Sequence, residues 1–393
     1  IDGEGNHDAE RMRAGIQKLV EVESAMMGGL PYRDYTFFVI LRPTPGGGLE
    51  HLNSNVVIMP RFSFNTTAGY TTFFATIAHE YFHAWNVKRI KPEGLGPFDY
   101  TRENYTRMLW VAEGITDYYT ELFILRAGLI SEGEFLNRQA ALIKKVQEIP
   151  GRFQTSLEEA SFDAWIKYYR PDAYSENRQV SYYDKGALVG MILDLAIRRA
   201  SNGARSLDDV FRYLYKEMAL KDHNCSAEDF QQVVETVAGA KLNEFFARYV
   251  RGKDEIDYNG FFAAVGLQLD TVGAVGAKTP PQSKAYLGLG VAQDGDRLMV
   301  RQVPAGTPGF DQGINTGDQI VAINGARVNE SSFNDRLDEH KPGDIIRLTI
   351  FRDDDLRTFE LKLGSKINTA YRILPLDQTT AGQKALYHAW LGK

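Results

Sequence analysis

Residues 72–90 read TFFATIAHEYFHAWNVKRI, and within them His79, Glu80 and His83 form a His-Glu-x-x-His pattern. On a helix, residues four apart stack on one face with Cβ atoms about 5–6 Å apart. Two imidazoles so placed reach a single ion, and zinc takes nitrogen ligands at about 2.0–2.1 Å. Glu80, one residue round the helix, is poorly placed to share the ion but well placed to take a proton from a water beside it. Phe73, Phe74, Ile77, Ala78, Phe82 and Trp85 accompany the motif, so the helix is expected to be buried. Burying two imidazoles and a carboxylate without a cation or partners is costly. With 7 histidines in 393 residues, coincidence is a poor account of the spacing. The stretch predicts a zinc hydrolase site, one ion per chain, with His79 and His83 as ligands and Glu80 as general base.

Hydrophobic residues make up 44% and charged residues 24% of the chain, an ordinary globular balance. The length allows two or three domains. A formal net charge of −6 without a basic stripe argues against a nucleic-acid partner. The lone Cys225 leaves no internal disulfide, and with His223 it makes a pair without further ligands, read as no metal site. The longest apolar run, LVGMILDLAI at 188–197, is cut by Asp194, so no membrane span is expected. A soluble protein follows, its compartment left open between a bacterial cytoplasm and the periplasm or exterior. The chain starts at Ile1 in what reads as the middle of a domain, which predicts a missing N-terminal portion.

In chain order, a helix is expected over 7–26 and strands over 34–42 and 55–59, with a loop, PTPGGGLEHLNS, between the strands. Its glycines let backbone approach a ligand closely. Glu50 follows them and is a candidate anchor for a substrate's free α-amino group; a solvated Glu on a Gly-rich hairpin is an equal alternative. Beyond the motif a helix is expected over 107–126, apolar nearly all round. Glu113 within it is the best candidate third ligand, and Asp117, four residues on, could accept the other ring N–H of a ligating His. Glu103, in the polar run TRENYTR, is its rival. Ser131 and Glu134 form a capping box opening a helix over 132–148. Further helices are expected from 156 to about 168, from 183 to 200, and as three short segments over 206–250. Tyr182 and Tyr183 stand at the mouth of the second of these. A tyrosine hydroxyl there could hydrogen-bond an oxyanion, although among 20 tyrosines a packing role is the local reading. Residues 265–282 are Gly/Pro-rich and mark a boundary. From 286 the chain turns to five short strands, with a short helix in GTPGFDQGINTGD, and the tail from 370 is expected to pack back as a helix.

HEYFHAWNVKRIKP (79–92) followed by WVAEGITDYY (110–119) resembles the PDZ-containing glycyl aminopeptidase family, zinc peptidases of the gluzincin type related to aminopeptidase N and thermolysin. The resemblance implies an α+β protein: a thermolysin-like, mostly helical catalytic domain with a small N-terminal sheet (1–265), a linker (266–282), a β-rich PDZ domain (283–366) and a tail (367–393). It implies His79, His83 and Glu113 as zinc ligands, Glu80 as base, and Asp117 as the acid orienting the first histidine. Gly47-Gly48-Leu49-Glu50-His51 is similar to the Gly-Ala-Met-Glu-Asn loop that binds the substrate amine in aminopeptidase N enzymes, so Gly47, Gly48 and Glu50 become substrate-binding candidates; His51 departs from the pattern. Tyr183-Asp184-Lys185-Gly186 is similar to their Tyr-x-Lys-Gly motif, which moves Tyr183 to oxyanion stabiliser. The interval from His83 to Glu113 is longer than in aminopeptidase N. Leu287-Gly288-Leu289-Gly290 resembles the carboxylate-binding loop of bacterial protease PDZ domains, which take a peptide C-terminus as an added strand. The family's N-terminal β domain is expected to be absent. The resulting expectation is a zinc aminopeptidase releasing Gly or Ala from peptides with a free N-terminus. Its alternatives are a metalloendopeptidase with PDZ-recruited substrates and a peptide-binding protein on an inactive peptidase scaffold.

Overall fold

The computed structural model describes residues 1–44, 46–271, 283–367 and 370–392. Helix α1, Ala9–Met27, opens on the Asp8 side chain and closes at Gly28, whose φ of 81° suits a residue without Cβ. Strands β1, Thr36–Arg42, and β3, Ser54–Pro60, pair in parallel from Thr36↔Ser54 to Arg42↔Pro60. The stretch between them, expected to be a loop, contains strand β2, Gly48–Glu50, antiparallel to β3 and at the edge of the sheet. Three residues, one of them Gly, carry no period-two pattern for sequence to show.

Helix α2, Thr67–Phe82, is capped by Thr66 and ends at His83. The helix expected from 107 begins later, with a wide π turn at Trp110–Gly114 that runs into α3, Ile115–Arg126. Helix α4, Glu132–Gln147, has the Ser131/Glu134 capping box. The helix expected to reach 168 stops early as α5, Leu157–Phe162, and no residue from 165 to 179 is buried. The short α6, Ser175–Arg178, precedes α7, Asp184–Ala200, which is buried over most of its length. Helices α8 (Leu207–Tyr213), α9 (Ala227–Ala238), α10 (Asn243–Tyr249) and α11 (Tyr258–Phe262) follow. Around α2, α3 and α8, Phe82, Tyr119, Phe123 and Phe211 pack ring on ring with centroids 5.0–5.5 Å apart. Each such burial is worth about 1.5–3 kcal/mol.

Strand β4, Leu267–Asp270, begins the stretch expected to be linker; 272–282 lie outside the described residues. Then come β5 (Ser283–Tyr286), β6 (Gly290–Asp294), β7 (Arg297–Gln302), the short α12 (Pro308–Asp311), β8 (Gln319–Ile323), β9 (Ala326–Arg327), α13 (Glu330–Asp338), β10 (Ile345–Arg352), β11 (Asp355–Lys362) and β12 (Gly364–Ile367). The main sheet runs β11-β10-β8-β7-β6 and has its own core, with Val300, Ile320, Ile346 and Leu348 at its centre. Helix α13 was not anticipated, although Asn329 caps it and Phe333 and Leu337, four apart, are its buried face. The chain then returns: β13, Arg372–Pro375, pairs antiparallel with β4, and α14, Ala381–Leu391, buries Trp390 in the first core. Among the described residues no helix is long and apolar enough to cross a membrane.

Candidate active site

The last turn of α2 stacks His79 and His83, ring centroids 4.7 Å apart at 82°. Both rings point one nitrogen at Glu113: His79 Nε2 lies 3.1 Å and His83 Nε2 3.4 Å from Glu113 Oε2. The ligand atoms of the three residues all lie within 4.8 Å of one another. The far nitrogens are engaged, His79 Nδ1 at 2.8 Å from Asp117 Oδ1 and His83 Nδ1 at 3.0 Å from the Asn86 carbonyl oxygen. A carbonyl only accepts, so His83 Nδ1 carries the proton and the neutral ring presents a lone pair at Nε2. Each Nε2 faces the Glu113 carboxylate oxygen, a contact that requires a proton or a shared cation between them. Burial opposes protonation of His79, yet Asp117 and Glu113 raise its pKa well above the usual imidazole value. Burial likewise opposes, and Glu113 outweighs, at His83. Against its own burial, Glu113 is held far below the carboxylate range by His83 and His79. The pocket favours positive charge, and two imidazoles with one carboxylate make a donor set that catalytic zinc uses. The residues fit such an ion.

What holds Glu113 in place was not legible beforehand. The buried Asn86 donates from Nδ2 to the carbonyls of Val111 (3.0 Å) and Ala112 (3.2 Å) and to Thr116 Oγ1 (2.9 Å). The Asn86 side chain therefore ties the turn after α2 to the π turn that carries Glu113, while the Asn86 backbone carbonyl orients His83. Behind the π turn, Gly114 packs on the start of α7: a Cβ there would lie 2.5 Å from the Tyr182 carbonyl oxygen and 2.6 Å from Gly186 Cα. This contact explains the Gly of Tyr183-Asp184-Lys185-Gly186 and sets Tyr183 beside the ligands, its ring 6.4 Å from that of His79. Burial, and after it Glu113, raises the Tyr183 pKa far above the phenol range, so the hydroxyl keeps its proton.

Glu80 is buried, and burial pushes its pKa up to about 7 against the pull of His79 and His83. Its carboxylate lies under β2. A Cβ on residue 48 would sit 2.2 Å from Glu80 Oε1, so any larger residue there would displace the Glu80 carboxylate. Gly47 closes on β3 by accepting from the Ile58 N–H at 2.9 Å. At the other end of β2, Glu50 comes within 4.8 Å of Glu80 and His83, counted between ligand atoms. It is not free: Lys88 Nζ lies 3.1 Å from Glu50 Oε1. Lys88 follows Val87, whose φ of 99° is strained for a β-branched residue and costs about 1–3 kcal/mol. Lys88 was not singled out from sequence. Glu103 is exposed on its loop and joins no described cluster of metal-ligating side chains, nor do His223 and Cys225. On the far side of His79, α2, α3, α4 and α7 enclose a cavity of about 530 Å³ rimmed by Asp117, Glu121, Arg138, Lys145 and Asp184. In the second unit, Leu287, Gly288 and Leu289 face Phe333 and Leu337 of α13 across a cavity of about 360 Å³.

Residues 72–189 match the family model described as M61 glycyl aminopeptidase, and 285–363 match that of the PDZ domain. Over residues 72–189 the chain is thus similar to the M61 glycyl aminopeptidases. An aminopeptidase N family protein from Idiomarina loihiensis superposes with a TM-score of 0.88 at 26% identity, over 99% of this chain and 67% of that one. Two further solved structures match more narrowly. The serine endoprotease from Yersinia pestis is 22% identical over 21% of this chain and 30% of that chain, TM-score 0.19. The PDZ domain of a carboxy-terminal protease from Vibrio cholerae, in complex with peptide, is 17% identical over 22% and 98%, TM-score 0.19. No curated protein matches. Family and fold make the chain a peptidase of α+β architecture with a PDZ domain. The M61 match contains His79, Glu80, His83, Glu113, Asp117 and Tyr183, while Glu50 lies outside it.

Proposed function

We propose that this M61 peptidase is a zinc-dependent aminopeptidase releasing small N-terminal residues, Gly or Ala, from peptides. The observation that carries the proposal is the convergence of His79 Nε2, His83 Nε2 and Glu113 Oε2, with the buried Glu80 beside them and Glu50 just beyond. Zinc held by these three ligands would supply Lewis acidity toward the scissile carbonyl and lower the pKa of water. Glu80, with a pKa brought near neutrality by burial, takes the proton of the attacking water and passes it to the leaving amine. Tyr183 donates its hydroxyl proton to the developing oxyanion.

Strand β2 orients the substrate. The bonds Ile58 N–H to Gly47 C=O and His51 N–H to Ser54 C=O turn residues 47 and 51 toward β3. By the alternation of antiparallel pairing, the backbone groups of Gly48 and Glu50 face the free edge, where an extended peptide can add. The Glu50 carboxylate takes the α-ammonium, and the rest of the peptide leaves past His79 into the 530 Å³ cavity. The preference for small residues rests on the family's description as glycyl aminopeptidases. The PDZ groove is assigned to peptide C-termini.

One observation favours a second reading. Lys88 already neutralises Glu50, as it would if Glu50 were structural and the enzyme an endopeptidase with PDZ-recruited substrates. Glycyl and alanyl amides, free and N-acetylated, separate the two. Glu50→Gln is expected to raise KM for free amines about tenfold or more and to leave acetylated substrates unaffected; rapid cleavage of blocked peptides by the parent enzyme would refute the aminopeptidase reading. Metal analysis should find one zinc per chain. Undiminished turnover in Glu80→Gln would reduce the site to an inactive scaffold.

A further inference from the structure

The segment 168–183 leaves the active site and returns to it. Its two ends form a stack of tyrosines: ring centroids of Tyr168 lie 5.0 Å from Tyr182 and 5.6 Å from Tyr183, those of Tyr182 and Tyr183 are 4.7 Å apart, and the Tyr182 hydroxyl donates to that of Tyr169 at 3.3 Å. Its tip reaches the PDZ domain. Asn177 grips the turn after β7 at two points: Nδ2 donates to the Val303 carbonyl at 2.9 Å, and Oδ1 accepts from the Ala305 N–H at 2.7 Å. Next to it, Gln302 Nε2 donates to Glu176 Oε1 at 2.7 Å. From the catalytic side the segment is held by Thr155 Oγ1 on the Arg178 carbonyl (2.5 Å) and by the close approach of Gly151 to Gln179.

Since none of residues 165–179 is buried, the stretch between the tyrosine stack and the PDZ contact has no core of its own. A stretch built from exposed hydrogen bonds and few apolar contacts opens locally at low free-energy cost. Its order depends on what its tip is fastened to, and a two-point amide clamp on backbone is directional. We propose that the PDZ domain anchors this segment through Asn177 and so positions Tyr183, making Asn177 a positioning residue for catalysis and the contact between the two units a part of the active-site scaffold. The inference rests on the reading of Tyr183 as oxyanion donor.

The test uses the full, zinc-loaded chain and alanyl p-nitroanilide, a substrate too small to engage the PDZ groove. Asn177→Ala is expected to lower kcat about three- to tenfold while KM moves less than about twofold, with zinc content unchanged. Asn177→Asp, which keeps the acceptor for Ala305 and loses the donor to Val303, should fall between. In a Tyr183→Phe background Asn177→Ala should change kcat by less than about 1.5-fold, because the residue it positions is gone. An undiminished kcat in Asn177→Ala, or the same loss in both backgrounds, overturns the anchor. If Tyr183→Phe itself turns over at the parent rate, the anchor falls together with the reading of Tyr183; if Tyr183→Phe is slow and Asn177→Ala is not, the anchor alone falls.

Discussion

Glu23 on α1 is wholly buried, and neither carboxyl oxygen has a hydrogen-bond partner among the described residues. Taking an unpaired carboxylate out of water costs far more than a domain can spare, so the group stays protonated instead. Burial accordingly raises its pKa well above the usual value, with His79 pulling the other way. The sign for stability follows. Between the ordinary carboxylate pKa and the raised one, the folded chain keeps a proton that the unfolded chain releases, so stability falls as pH rises through that window. Each pKa unit of the difference is worth about 1.4 kcal/mol. Glu23→Gln keeps the shape and removes the titration. Its melting temperature should match the parent's near pH 4 and exceed it increasingly toward pH 8, with metal stripped from both. A constant offset across that range would mean that Glu23 titrates as an exposed carboxyl does.

At the scale of elements, the site is a meeting of α2, the π turn before α3 and the head of α7, and Asn86 joins the first two. Asn86→Ala leaves the Val111 and Ala112 carbonyls without this donor and frees the turn that orients His83. Losing such an outer partner costs about 10–100-fold in metal affinity, and the buried polar groups left behind about 1–3 kcal/mol of stability. Titration with a chelator should show the first effect, and unchanged zinc affinity would refute the role given to Asn86. The contrast with the histidines shows what the sequence could carry. His79, Glu80 and His83 were legible because helical spacing alone puts them together, as was the relation of Glu113 to Asp117 four residues on. The π turn was not, because it depends on a side chain from another element. Nor was β2, too short for a pattern, although a side chain at Gly48 would push on the Glu80 carboxylate beneath it. The exposed hydrophobic residues Trp165, Ile166 and Tyr169 gave the segment after α5 an apolar content that suggested a longer helix than the tertiary structure supports.

Across the whole molecule, the chain leaves its first core at β4, builds the PDZ unit, and returns through β13 to finish that core. The tail therefore belongs to the catalytic unit although a second unit separates them in sequence. Trp390, with no exposed surface, donates from Nε1 to the Tyr118 hydroxyl at 2.8 Å, and Tyr118 donates to the buried Asp194 at 2.7 Å. Asp194 also accepts from Arg198 and from the Leu207 N–H, so the tail closes a polar network running between α3, α7 and α8. Tyr118 is one residue from Asp117 and five from Glu113, which links the tail to the cluster of His79, His83 and Glu113 through the run from the π turn into α3. Trp390→Ala empties a large buried volume and should cost about 3–5 kcal/mol. Trp390→Phe keeps most of the volume and loses the donor, which should cost about 1–2 kcal/mol. Urea unfolding of the two variants distinguishes volume from hydrogen bond. A loss below about 1 kcal/mol in Trp390→Ala would place the tail outside the cooperative unit and leave the catalytic fold complete at β4.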